Sequence, residues 1–233
     1  MEQLPLEVRL ADYALFDTYY EGPNGEPVYA LRNLLESCAF AVLWLWGPAD
    51  AGKTHLLQAA VNTADGNGFR SAYLPLSTGS GLSPEVLEGM GELDVICVDD
   101  VDVIAGDKNW EQGLFRLFES LRGSGGRLVL AAKESPLHCG FALQDLASRF
   151  SSGTTFRLMQ LSDEDKLRAM QVRAEWRGLV LPDDTARYLI SRVDRGFSQL
   201  FSLLDQLDRE ALKAQKKLTV PFVKAVLNKE RKA

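Results

Sequence analysis

The sequence of 233 residues is short of several things, and each shortage removes a class of function. No apolar run approaches the roughly 18 to 20 residues that a membrane-spanning helix needs, so no membrane partner is expected. The opening Met1-Glu2-Gln3-Leu4-Pro5-Leu6 has no basic stretch followed by an apolar one, so no secretory signal is visible. Cysteine is scarce. Cys38, Cys97 and Cys139 are odd in number and far apart, which suits neither a disulfide framework nor a zinc site and fits a cytoplasmic, reducing location. Positive charge is in deficit, with 26 Lys and Arg against 32 Asp and Glu and a net charge of -6. Nonspecific DNA binding runs on phosphate neutralisation, so a chain this acidic is not expected to coat DNA. There is no internal repeat, and the one low-complexity patch, Ser77-Thr78-Gly79-Ser80-Gly81, reads as a loop.

What is present is an alternation of strand and helix signals. Residues 39–46 (Ala-Phe-Ala-Val-Leu-Trp-Leu-Trp) form a continuous apolar run of strand length, as in a parallel strand buried on both faces. A helix is predicted over His55–Thr63, then strands at Phe69–Leu76, Leu93–Val98, Arg127–Ala132 and Thr154–Met159. Between the third and fourth strands, Trp110, Leu114, Phe115, Leu117, Phe118 and Leu121 recur at helical spacing, with Asp107 as their cap. Five strands alternating with helices predict an α/β fold with a parallel sheet. After Leu161 the period changes. Ser162-Asp163-Glu164-Asp165 reads as a capping box, a second helix starts near Pro182, a third carries Leu200, Leu203, Leu204, Leu207 and Ala211, and a fourth begins near Thr219. These apolar positions predict a helical bundle with its own core. The expected division is an α/β nucleotide-binding domain over 11–160, a helical lid over 161–233, and a short N-terminal peptide over 1–10.

Gly47-Pro48-Ala49-Asp50-Ala51-Gly52-Lys53-Thr54 matches the phosphate-loop pattern in full, between a predicted strand and a predicted helix. The chemistry needs these residue types. Glycines let the backbone wrap phosphates, and amide N–H groups at a helix N-terminus point positive dipoles at them. Lys53 would reach the β- and γ-phosphates, and Thr54 would offer its hydroxyl to Mg2+. Val95-Ile96-Cys97-Val98-Asp99-Asp100 is an apolar strand ending in two carboxylates. Asp99 is expected beside the metal and Asp100 is the candidate to polarise a water. The competing reading is a pair of turn residues closing a strand. Asp102 is read as a helix cap or a surface residue. His55, next along the helix, is read as packing or solvent-facing rather than catalytic, though it borders the nucleotide site. Trp44 and Trp46 are read as core, with base stacking as the other option. His138 and Cys139 have too few neighbouring ligands for a metal.

The phosphate loop, the Asp-Asp strand end and Asp145-Leu146-Ala147-Ser148-Arg149-Phe150 resemble the AAA+ core of the bacterial initiator DnaA. Leu161-Ser162-Asp163-Glu164-Asp165-Lys166-Leu167, Leu204-Asp205-Gln206-Leu207-Asp208-Arg209 and Lys217-Leu218-Thr219-Val220-Pro221-Phe222-Val223-Lys224 resemble more closely the Hda family of DnaA-related inactivators. The resemblance implies an AAA+ P-loop NTPase core with a C-terminal helical lid, and with it several roles. Gln3-Leu4-Pro5-Leu6 is similar to the peptide by which that family docks on the DNA polymerase sliding clamp. Arg149 matches the arginine that reaches the γ-phosphate on a neighbouring molecule, here ATP on DnaA; read without the resemblance, an ordinary surface salt bridge is the competing role. Homo-oligomerisation by an AAA+ head-to-tail contact is left open.

Two departures bear on turnover. Where DnaA carries a lid arginine, this sequence has Gly196-Phe197-Ser198-Gln199-Leu200, with Ser198 in its place and Arg195 three residues away as the substitute. Where a polar sensor aspartate is expected at the end of strand four, Ala131-Ala132-Lys133-Glu134 places Lys133. A site that keeps its diphosphate cradle and loses γ-phosphate sensors is expected to hold ADP in preference to ATP, with weak independent hydrolysis or none. The sequence runs about six residues past Leu227, leaving no room for a helix-turn-helix, so direct sequence-specific DNA binding is not expected. The alternatives are an autonomous AAA+ ATPase of the helicase-loader type, a P-loop kinase, and a nucleotide-stabilised scaffold.

Overall fold

The computed structural model describes residues 14–37, 39–77, 81–192, 197–214 and 217–230. Five parallel strands form one sheet: β1 (Ala41–Trp46), β2 (Ser71–Pro75), β3 (Val95–Asp99), β4 (Arg127–Ala132) and β5 (Thr154–Arg157). Their order is β2-β3-β4-β1-β5. Trp44 of β1 lies opposite Leu130 of β4 on one side and Thr155 of β5 on the other. Two of the three interior strands, β3 and β4, are buried at every position, which is why Val95–Val98 and Leu128–Ala132 are continuously apolar rather than alternating. The fourth strand has the predicted bounds, and the other predicted strands overrun the observed ones by two or three residues, while β3 runs one residue further, to Asp99.

Four helices accompany the sheet: α1 (Gly25–Glu36), α2 (Lys53–Gly66), α3 (Lys108–Ser124) and α4 (Gln144–Ser151). Helix α2 is longer than expected at both ends and begins at Lys53. Helix α3 starts where Asp107 was expected to cap it: the carboxylate accepts from the Asn109 and Trp110 amides at 2.9 and 3.2 Å. Helix α1 was not anticipated. Its buried Val28, Leu31, Leu34 and Leu35 have helical spacing, and Pro27 sits in its first turn, where a missing N–H costs nothing. Its preceding residue, Asn24, makes no capping bond. The Asn24 side chain instead exchanges two hydrogen bonds with the Met159 backbone, 3.0 and 2.8 Å, joining the start of α1 to the chain just past β5. The core of this unit runs from Trp44, Ile96, Val98, Leu128 and Leu130 on the sheet to Leu114, Phe118 and Phe150 on α3 and α4. Trp44 is fully buried, stacked near Phe150, with its indole N–H given to the Glu134 carbonyl at 3.0 Å.

The chain separates into two compact units. One contains Asn24–Met159 and the described residues before Asp17; the other contains Asp17–Pro23 and the residues from Gln160 onward. The short segment 17–23 therefore belongs with the helical unit, where the Tyr20 hydroxyl reaches Asp165 at 3.2 Å. That unit holds α5 (Asp163–Trp176), α6 (Asp183–Arg192), α7 (Phe197–Ala214) and α8 (Val220–Glu230). Ser162 and Asp165 form a reciprocal capping box at the start of α5. Leu167, Met170, Leu189, Leu204, Leu207 and Val223 make the core. Arg173, buried beside it, is paired with Asp205 at 3.0 Å and lies over the Phe201 ring at 4.4 Å. Arg177 spans Asp205 and Asp208 at 3.0 and 3.4 Å, so the acidic positions of the Leu204–Arg209 segment tie α7 to α5. No described helix is long and apolar enough to cross a membrane.

Candidate functional site

The C-terminal ends of β1 and β3 and the first turn of α2 converge on one loop. Residues 47–52 turn the chain from β1 into α2, and the turn is built from backbone conformations that few residues tolerate. Gly47 has φ of 150°, and a Cβ there would stand 2.6 Å from the Leu158 carbonyl oxygen, so the loop packs directly on the chain beyond β5. Gly52, in the left-handed region at φ 91°, is the N-cap of α2 and has no side chain to cover the helix's first amides. Asp50 is left-handed as well, at φ 59°. The result is a concave run of backbone ending at a helix N-terminus, the geometry that receives anions.

Lys53 is buried although charged, at 8% exposure. Its ammonium donates to the Gly47 and Pro48 carbonyls at 2.7 and 2.8 Å. Burial pushes its pKa below the ordinary lysine value, while Asp99, Asp100 and Asp102 pull it back up. Across from it, Asp99 is 1% exposed. One carboxylate oxygen accepts from the Thr54 hydroxyl at 2.6 Å and the Tyr73 hydroxyl at 2.9 Å, and the other from the Asp100 amide at 3.0 Å. Burial raises the Asp99 pKa, the two hydroxyls lower it, and the neighbouring Asp100 raises it. Burial and Asp99 together push the Tyr73 phenol far above its usual value, so it remains a donor. Asp100 is left-handed at φ 56° and its carboxylate accepts from the Ser77 hydroxyl.

These contacts can be tested without any ligand. Because the folded-state pKa of Asp99 is raised, the native protein holds its proton to higher pH than the unfolded chain does. Stability is therefore lost as pH rises through the interval between the ordinary carboxylate value and the raised one. Asp99→Asn removes that loss, since both hydroxyls can turn to accept from the amide. The variant without nucleotide is expected to melt roughly 2–4 °C higher at neutral pH, the shift that about 1 kcal/mol produces in a chain of this size. The advantage should shrink towards pH 4. Equal melting temperatures across that range, followed by circular dichroism, would contradict the charge-burial account.

The residues expected at the site fall into three groups. Gly47, Pro48, Ala49, Asp50, Ala51, Gly52, Lys53 and Thr54 form the loop, and Asp99 and Asp100 stand beside it. The His55 Nε2 lies 2.9 Å from the Leu15 carbonyl, fastening the segment before α1 to α2. That makes it a structural clasp, aided by Asn62, which donates to the Ala14 carbonyl at 2.8 Å. Arg195 and Gln3, Leu4, Pro5 and Leu6 lie outside the described residues. Lys133 pairs with Asp102 at 3.0 Å and its amide donates to the same carboxylate at 3.1 Å. Asp102 is thus the partner of the substituted strand-four position, not a cap. Cys139 is partly buried, which raises its thiol to about 12 and leaves it unreactive.

Arg149 lies on α4, and its guanidinium is occupied. It pairs with Glu119 of α3 at 2.7 Å and lies over the Phe115 and Phe118 rings at 4.7 and 5.6 Å. Its side chain is 30% exposed and its Nε has no hydrogen-bond partner. The sequence placed this arginine at a surface and missed the carboxylate that holds it there.

Mg2+ fits the donor set. Thr54 and Asp99 offer a hydroxyl and a carboxylate side by side, and Mg2+ is commonly held by one or two such groups together with phosphate and water. Among the described residues no group of three or more His, Cys, Asp or Glu is arranged to hold a metal, so phosphate oxygens and water would have to complete the shell.

Two family models match the chain. Residues 84–157 match the ATPase domain of bacterial DnaA, and residues 163–227 match the lid domain of Hda. The phosphate loop lies outside both matches. Among solved structures, domain III of the Thermotoga maritima replication initiation protein DnaA is similar over 95% of this chain and 98% of that one, with a TM-score of 0.77 at 21% identity. A replication initiator DnaA bound to AMPPCP and single-stranded DNA is similar over 97% of this chain and 70% of that one, with a TM-score of 0.72 at 20% identity. The Thermotoga maritima RuvB Holliday junction branch migration motor is similar over 91% and 72%, with a TM-score of 0.64 at 16% identity. Identities this low speak for a shared fold. The matched lid segment contains Arg173, Arg177, Asp205 and Asp208, the ion pairs that join α5 to α7. A segment that matches the DnaA ATPase domain followed by one that matches the Hda lid supports an Hda-type, DnaA-related AAA+ protein.

Proposed function

We propose that this protein is a nucleotide-binding regulator of replication initiation. It holds a nucleoside diphosphate with Mg2+, docks on the sliding clamp through Gln3–Leu6, and offers Arg149 to ATP on DnaA, which hydrolyses it and is inactivated. The observation that carries the nucleotide reading is the buried pair of opposite charges at the loop: the Lys53 ammonium resting on loop carbonyls, and Asp99 hydrogen-bonded to Thr54. Burial outweighs the pull of the aspartates on this ammonium, whose hydrogen bonds go to neutral carbonyls, and a phosphate would add negative charge at that point. In this reading Lys53 turns from the carbonyls to the β-phosphate, the amides of 49–53 wrap it, and Thr54 offers its oxygen to the metal. Mg2+, when bound, would neutralise phosphate charge. The AMPPCP carried by a DnaA of the same fold supports a nucleotide here.

A diphosphate is favoured over a triphosphate by Lys133. At the end of β4, where a polar sensor is expected, its ammonium is engaged with Asp102. The autonomous ATPase of helicase-loader type remains the second reading, favoured by the presence of both Asp99 and Asp100. Mass spectrometry of the nucleotide released on denaturing the purified protein tests the choice. ADP is expected at near one equivalent. Tight ATP with no affinity for ADP, or steady turnover by the protein alone, would favour the second reading.

A further inference from the structure

Tyr73 is the residue that the phosphate-loop pattern does not contain and that the site nevertheless uses. It sits on β2, at the register position facing Cys97, two residues before the β3 carboxylate that its hydroxyl reaches. Asp99 accepts three hydrogen bonds: from Thr54, from Tyr73 and from the Asp100 amide. Thr54 and Tyr73 share one oxygen. These partners do not behave alike once a metal arrives. The Thr54 hydroxyl would be a ligand to the metal through a lone pair, so the hydroxyl's place beside the carboxylate would be set by the metal. The Asp100 amide holds only the far oxygen. The phenol is the side-chain donor on the near oxygen that would not itself be a ligand to the metal. Gln58 of α2 hydrogen-bonds to that phenol in turn, so its aim is fixed from behind.

We infer that Tyr73 is a positioning residue for the metal: its hydroxyl holds the Asp99 carboxylate in place for a Mg2+–diphosphate independently of Thr54. Partners of this kind, one step removed from a metal, set its affinity by about 10- to 100-fold in characterised sites. The inference rests on the nucleotide reading above and adds to it a specific signature, which is that Tyr73 matters to the metal and not to the nucleotide alone.

The experiment is a fluorescent ADP titration of the full chain, with Mg2+ and with EDTA, on wild type and Tyr73→Phe. Phenylalanine keeps the ring and removes one oxygen. Wild type is expected to bind more tightly with Mg2+. In the variant that gain should fall about tenfold or more while affinity in EDTA stays within about twofold. Thr54→Val, which removes the hydroxyl ligand, should lose the same gain and serves as the positive reference. An unchanged Mg2+ gain in Tyr73→Phe overturns the inference, as does equal loss of affinity with Mg2+ and EDTA, which marks a merely structural role. A wild type that binds ADP equally well with and without Mg2+ also overturns it, yet leaves the nucleotide reading standing. A wild type with no ADP affinity removes the nucleotide reading itself.

Discussion

Replacing Arg149 by alanine is expected to return ATP hydrolysis by DnaA, with clamp-loaded DNA present, to the rate DnaA shows unaided. An arginine placed at a transferring phosphoryl group in trans contributes roughly 10³–10⁵ in rate, because its charge meets negative charge that grows only in the transition state. Clamp docking and DnaA binding should survive the change, so the loss would lie in turnover rather than assembly. The side chain's present contacts sharpen the test. Arg149 is held by Glu119 and by two phenyl rings, and phosphate must displace Glu119 to take the guanidinium. Glu119→Gln keeps the shape and removes the competing charge, so it should stimulate hydrolysis at least as well as wild type. Arg149→Lys keeps a charge without the planar fork and should recover little. Equal stimulation by wild type and Arg149→Ala would take the arginine out of the mechanism, and the pair with Glu119 would then be an ordinary link between α3 and α4.

The second large effect is at Lys53. A ligand at a hundred times its dissociation constant stabilises a fold by about 2.7 kcal/mol. For a chain of this length that corresponds to a melting shift of roughly 5–10 °C. Wild type should show it on adding ADP and Mg2+, and Lys53→Ala should show none. Without nucleotide the two should melt within a few degrees of each other, since the alanine gives up two hydrogen bonds but also relieves a buried charge. A nucleotide-induced shift of the same size in Lys53→Ala would mean that the loop around 47–54 is not where the ligand sits.

Local signals in the sequence were sufficient wherever a residue's role depends on near neighbours. The Gly47–Thr54 pattern, the Asp107 cap and the Ser162–Asp165 box each act within a few residues, and each is built as its spacing requires. The strands were legible because burial on both faces forces apolar runs. Helix α1 was missed because it opens on Gly25, Glu26 and Pro27 in a stretch rich in turn residues, although Val28, Leu31 and Leu35 carried the helical period. Contacts between elements were not legible. Tyr73 meets Asp99 across 26 residues, Glu119 meets Arg149 across 30, and Lys133 meets Asp102 across 31. Nothing in a single sequence distinguishes those side chains from other polar residues, because the pairing is decided by the order β2-β3-β4 and by the packing of α3 on α4. His55 is a further case: its ring meets the Leu15 carbonyl across 40 residues, a partner that its place beside the loop does not name.

One buried side chain links parts of the α/β unit that look independent in sequence. Glu111, on α3 and 1% exposed, accepts from the Gly106 amide at 2.7 Å and from the Ala142 and Leu143 amides at 2.9 and 2.7 Å. Gly106 ends the turn that follows Asp99 and Asp100, and Leu143 is the residue from which α4 departs. A carboxylate clasped by three amides leaves neither stretch any slack, because parting from either would strand a negative charge away from water. The ground on which the two aspartates stand and the root of the helix bearing Arg149 are accordingly one piece of masonry, and a displacement of one is carried into the other.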